Sequence, residues 1–124
     1  MGPKIAKLQS AREFLTPERC YIVETWRSKD DGLLTVARAR VEPGMTTEWH
    51  ALEGVTERYL ISEGKGRMEV GDLPSTEVAP GDTVFIPAGL RQRITNDGAQ
   101  DLVFYCICTP PFHPDCYRSL ETEK

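Results

Sequence analysis

The sequence predicts an all-β domain, a barrel or a sandwich. Three observations carry that reading. Apolar and polar residues alternate with a period of two, strand-sized segments recur at short spacing, and clusters of Gly, Pro, Asn and Asp separate nearly all of them.

Taken in order, the segments support it one by one. Ser10-Ala11-Arg12-Glu13 has the spacing of a capping box, which predicts a short helix that must stop before Pro17. Cys20 to Trp26 is rich in β-branched and aromatic residues and reads as a strand. Leu33 to Val41 is a second, with Ala37, Ala39 and Val41 on one face and Arg38 and Arg40 on the other. Pro43-Gly44 turns the chain. Further strands are predicted at Thr46 to Leu52, Glu57 to Ser62, Gly66 to Val70, Thr76 to Ala79, Thr83 to Pro87, Leu90 to Thr95 and Leu102 to Thr109. Turns such as Glu63-Gly64-Lys65-Gly66, Pro80-Gly81-Asp82 and Asn96-Asp97-Gly98 lie between them. The tail from Pro114 is expected to close with one helical turn. No repeat or linker divides the chain. The reading is one domain over residues 1–124: an arm at 1–19, a barrel core from about 20 to 109, and a tail at 110–124.

Composition excludes several classes. With 40% apolar and 27% charged residues, disorder, collagen and coiled coil are ruled out. The net charge is −4 and no basic block stands out, which argues against nucleic acid as a partner. The longest uncharged apolar run, Leu102 to Cys108, is far short of the roughly 20 residues of a membrane span. The first residues lack the apolar core of a signal peptide, so the expectation is a cytoplasmic protein whose Cys20, Cys106, Cys108 and Cys116 stay reduced. Cys106 and Cys108, two apart on a strand, share a face and read as small buried residues. With only His50 and His113, no centre of three or four histidines can form within one chain.

Two segments carry a pattern. Gly44, five residues, His50-Ala51-Leu52, four residues, Glu57, six residues and Gly64 form the first. Gly81, five residues, Pro87-Ala88-Gly89, two residues, Gln92, three residues and Asn96 form the second, sixteen residues on. This spacing resembles the paired motifs of the small single-domain cupins. The resemblance implies a double-stranded β-helix, or jelly roll, with a pocket inside the barrel. It also implies a homodimer and a divalent metal held by two histidines and a glutamate from the first motif and one histidine from the second. Here His50 and Glu57 keep their places, while Leu52 and Gln92 stand where the family has its other two histidines. The simplest argument for an iron or copper dioxygenase goes with them.

Residues two apart on a strand share a face, so Glu48, His50 and Leu52 look inward together, as do Glu57 with Tyr59 and Leu90 with Gln92 and Ile94. His50, Glu57 and Gln92 are the candidate ligands for zinc, manganese, iron or nickel. No organic cofactor is implied. His50, Glu57, Tyr59 and Glu48 are the candidate catalytic groups: a histidine titrating near neutrality, two carboxyls in one partly desolvated space, and a phenol facing a developing oxyanion. They suit proton transfer next to a carbonyl on a small organic substrate, as in an isomerase or cyclase, with an oxygenase the other enzyme class open. The competing reading is a non-enzymatic ligand-binding or sensor cupin with a degenerate, metal-free site. Each residue also has a plain structural role open to it: His50 in a hydrogen-bonded network, Glu57 and Glu48 solvated at a strand end or barrel mouth, and Tyr59 as packing. Trp49 should face away from the pocket together with Arg91 and Arg93, and His113 should be exposed near the mouth.

Overall fold

The computed structural model describes residues 2–8 and 12–121. Eleven strands form two antiparallel sheets. They are β1 (Phe14–Leu15), β2 (Tyr21–Trp26), β3 (Thr35–Val41), β4 (His50–Leu52), β5 (Thr56–Glu63), β6 (Gly66–Val70), β7 (Thr76–Val78), β8 (Thr83–Ile86), β9 (Gln92–Thr95), β10 (Leu102–Thr109) and β11 (Tyr117–Ser119). One sheet runs β1-β2-β3-β10-β5-β8 and the other β11-β4-β9-β6-β7. The only α-helix among the described residues is α1 (Ser28–Asp31), closed by Gly32 in the left-handed region. The chain is therefore all-β.

The inward faces grade from filled to hollow along the strands. On β10 the inward series is Leu102, Phe104, Cys106 and Cys108; on β3, paired with it, the series is Val41, Ala39, Ala37 and Thr35. On β5 it is Ile61, Tyr59 and Glu57, and on β9 it is Ile94 and Gln92. Large aliphatic side chains close one end, where Val41, Ile94 and Leu102 are wholly buried. Toward the other end the same strands carry alanines, thiols and polar groups. Small side chains cannot fill the space between the sheets, and a cavity opens there.

Several boundaries differ from the sequence reading. Glu13 to Leu15 does not continue a helix: Phe14–Leu15 is strand β1, paired with β2. Ser10 and Ala11, where the capping box begins, lie outside the described residues. The strand expected from Thr46 is regular only over His50–Leu52, because the backbone and hydroxyl of Thr47 both bond Ile94 outside the ladder. Leu90 precedes β9 and is 41% exposed, so it does not share the inward face of Gln92 and Ile94. The tail makes a single 3-10 turn over Pro114–Cys116 and then forms β11, which pairs with β4 and would otherwise leave His50 on an open edge. Glu121 secures that addition by accepting from the Trp49 backbone N–H at 2.6 Å and from Arg19 at 3.1 Å.

Asn96, wholly buried, ties the filled end. Its amide donates to the carbonyls of Val41 and Gln100 at 2.8 and 2.7 Å, and its oxygen accepts from Gly98 N–H at 2.9 Å. Gly64 turns β5 into β6 with φ of 78°, and a Cβ there would stand 2.5 Å from the Asp101 carbonyl oxygen. Gly64→Ala should therefore destabilise the domain by about 2 kcal/mol or more, from left-handed strain plus a clash with backbone. Urea unfolding of the two proteins checks it, and an unchanged midpoint would contradict it.

Candidate active site

A cavity of about 510 Å³ occupies the hollow end. It is lined from both sheets and from the segment Thr16–Cys20, which leads into β2. That segment is a tight turn in which the Thr16 N–H and hydroxyl both donate to the Cys20 carbonyl, and the Arg19 N–H donates to the Thr16 carbonyl. Arg19 adopts φ of 73°, an unusual conformation for a residue with a side chain. Its guanidinium points outward to Glu121 and the Thr46 carbonyl, while its neighbour Glu18 lines the cavity.

His50 is almost wholly buried. Its Nδ1 lies 2.7 Å from the Glu48 backbone carbonyl, which can only accept, so Nδ1 carries the proton and Nε2 keeps its lone pair. Tyr117 stacks on the imidazole with ring centroids 4.8 Å apart. Nε2 faces the Glu18 carboxyl at 3.9 Å, close to but beyond a direct hydrogen bond. Burial lowers the His50 pKa, so the ring is a neutral base at neutral pH. Glu18 is shifted the opposite way, to about 7, by desolvation and by the neighbouring carboxyls of Glu57 and Glu48. It still retains 21% exposure, which leaves it a route to solvent and to a ligand.

A second chain of groups lies deeper. Tyr59 OH donates to Gln92 Oε1 at 2.6 Å, and Gln92 Nε2 donates to Glu57 Oε1 at 2.9 Å. Burial raises Glu57 to about 6, against hydrogen bonds from Gln92 and from the Cys106 and Cys108 thiols that pull it down. The two thiols share an inward face and are themselves pushed up by burial, so they are neutral groups. Glu48 accepts from Tyr117 OH and from Ser119 Oγ, at 2.5 and 2.6 Å.

The structure thus brings His50, Glu57, Tyr59, Glu48 and Gln92 into one region, but not in the roles that spacing alone suggests. The Tyr59 hydroxyl spends its proton on Gln92 and is not aimed at an oxyanion. Glu48 is a brace for β11, not a solvated carboxylate. His50, Glu57 and Gln92 do not fit a divalent metal. Gln92 is used at both ends of its amide, and Leu52, in the place of a ligand, has no donor atom. Among the described residues, no three His, Cys, Asp or Glu side chains are grouped so as to hold a metal ion. Glu18, the partner of His50, is absent from the motif reading. It lies outside both motifs, on a turn whose local signal, Thr16-Pro17-Glu18, says only that the chain bends. The Arg91 and Arg93 guanidiniums both lie against the Trp49 ring, at 4.9 and 4.3 Å.

Residues 37–108 match the family model for the cupin domain, Cupin_2. The chain is a cupin. It is 37% identical over 87 residues to an uncharacterized protein, MJ1618, of Methanocaldococcus jannaschii, covering 70% of this chain and 69% of that one. Among solved structures this cupin resembles the polyketide cyclase RemF of Streptomyces resistomycificus, with a TM-score of 0.81 and 18% identity over 99% of this chain and 89% of that one. It also resembles Pac13 of Streptomyces, a nucleoside dehydratase, with a TM-score of 0.76 and 16% identity over 96% and 92%. A third is a predicted oxalate decarboxylase of Thermotoga maritima, with a TM-score of 0.75 and 19% identity over 86% and 99%. At these identities the structural likeness establishes the shared barrel. Among the described residues no helix of this cupin is long and apolar enough to cross a membrane.

The Glu18 carboxyl makes stability depend on pH. Its folded pKa, about 7, stands above the ordinary 4.5, so it binds a proton more tightly in the folded protein. Its contribution, about 3 kcal/mol at most, is present in full below the unfolded value and is lost as pH rises through about 7. Calorimetric melting should show wild type losing stability from about pH 4.5 to 7, with Glu18→Gln flattening that slope. Parallel profiles for the two proteins would contradict the assignment.

Proposed function

We propose that this cupin is a small-molecule enzyme that moves protons within the barrel, by isomerisation, cyclisation or dehydration beside a carbonyl group. The observation that carries this is the facing pair: a neutral imidazole with its lone pair at Nε2, and 3.9 Å away a carboxyl group shifted to about 7. One is a base and the other an acid at the same pH, and both line the cavity, where a reacting group can sit against the pair. His50 Nε2 takes a proton from the carbon beside the carbonyl, and Glu18 gives its proton to the oxygen that gains negative charge or departs as water. In dehydration the pair returns to its starting state when the imidazolium passes its proton to the Glu18 carboxylate through solvent. In isomerisation the imidazolium protonates the other carbon of the enol while Glu18 takes back the proton on oxygen. Glu48 positions His50 through its carbonyl and through Tyr117. Glu57, with Gln92 and Tyr59, keeps a second carboxyl, its pKa raised to about 6, at the cavity wall. The enzyme chemistries named for RemF and Pac13 fall in the same territory and support the reading.

The reading takes the chain as a cytoplasmic homodimer. Four free cysteines are consistent with a reducing compartment, and Leu60 and Phe85, exposed by 41% and 57% on the outer face of β5 and β8, offer apolar surface to a second copy.

Proton transfer can be read without knowing the product. Uncharged cyclic ketones and β-hydroxyketones, incubated with the protein in heavy water, should gain deuterium beside the carbonyl, followed by NMR. Glu18→Gln and His50→Gln should each lower that rate by about 10²-fold or more. The rate should be bell-shaped in pH, falling above about 7 as Glu18 ionises and falling at acid pH as His50 protonates. Compounds that bind without exchange in wild type, and equally well to both variants, would replace this reading with a ligand-binding or sensor cupin.

A further inference from the structure

The cavity wall has one sign of charge. Its ionisable oxygen-bearing side chains, apart from the Tyr59 and Tyr117 phenols, are carboxyls: Glu18, Glu24, Glu48 and Glu57. Among the described residues no lysine or arginine lines it. Guanidiniums next to lining or site residues in sequence stay out of the cavity and face carboxylates elsewhere: Arg19 meets Glu121, Arg38 lies 3.8 Å from Glu13, Arg40 meets Glu13 and Asp101, and Arg93 meets Glu69. The rest of the wall is predominantly apolar, with the rings of Phe14, Phe104 and Phe112 beside those of Tyr59 and Tyr117.

An anionic ligand would find no countercharge here. It would lose its hydration and gain repulsion from the carboxylates of the wall. An uncharged ring system loses little on entering and can stack on the aromatic wall, and a cation gains both the carboxyls and the ring faces. We infer that the barrel takes a ring-bearing organic molecule of zero or positive charge and rejects carboxylates and phosphates. The inference rests on the same cavity as the proposed acid–base site and names the substrate class that site admits. A small dianion such as oxalate is the chemistry the wall opposes most, whereas an unphosphorylated nucleoside or a neutral aromatic ketone is compatible with it.

Three probes that share one ring system separate the outcomes: naphthylmethylammonium, naphthylmethanol and naphthoate, titrated calorimetrically into the full chain near neutral pH. The alcohol and the ammonium should bind, and naphthoate should bind at least about tenfold more weakly than the alcohol. Glu18→Gln should narrow the gap between alcohol and carboxylate, and the alcohol's affinity for this variant shows that the pocket is intact. Naphthoate binding as tightly as the alcohol, or failure of both the alcohol and the ammonium to bind, would overturn the inference. The titration reads binding alone. Charge selection without deuterium exchange would remove the catalytic reading and leave this one standing, and exchange on carboxylate-bearing ketones would do the reverse.

Discussion

The hydrogen-bond chain from Tyr59 through Gln92 to Glu57 is the tie across which the barrel is built. Tyr59 and Glu57 stand on β5 of one sheet, and Gln92 stands on β9 of the other. Each group is buried, so each must find its partner inside the protein or lose about 1–3 kcal/mol. The amide is suited to the position because it donates at one end and accepts at the other, which lets it join a phenol to a carboxyl. With Gln92 in place the sheets meet at a fixed separation. The filled core lies toward Ile94 and Leu102, and the cavity lies toward Cys108 and His50.

That geometry explains the electrostatics of the hollow end. The same small side chains that leave the cavity empty of protein also keep it largely apolar. Glu18 and Glu57 are poorly hydrated there and hold their protons to higher pH, while the imidazole gives its proton up at lower pH. An acid and a base facing each other at neutral pH result from one cause acting on groups of opposite charge type. The strained turn at Arg19 is where the backbone bends so that Glu18 lines the cavity while its neighbour's cation stays outside.

The comparison with RemF, Pac13 and the predicted oxalate decarboxylase puts one barrel beside several chemistries. The barrel supplies inward-facing positions at fixed spacing, and the side chains placed there decide what happens. In this cupin two of the positions that resemble metal-ligand positions carry Leu52 and Gln92. Leu52 joins Val55, Cys108 and Cys116 in a small apolar cluster, and Gln92 becomes the cross-sheet tie. At these positions the side chains pack and hydrogen-bond.

The sequence by itself determined the all-β class, most strand positions and the inward direction of His50, Glu57 and Gln92. Alternation and turn chemistry are local, and a residue's face follows from counting in twos. The paired glycine frames extended that to the cupin barrel. What only the tertiary structure decided was which groups meet. Glu18 reaches His50 from a turn some thirty residues earlier in the chain, and no periodicity links the two. β11 comes from a tail whose sequence has no strong pattern and forms a strand because β4 offers an unpaired edge. The phenol of Tyr59 and the carboxyl of Glu57 each find a hydrogen-bond partner in Gln92 on the opposite sheet. Proton affinity depends on burial and on neighbours distant in sequence, and it exists only once the two sheets have closed.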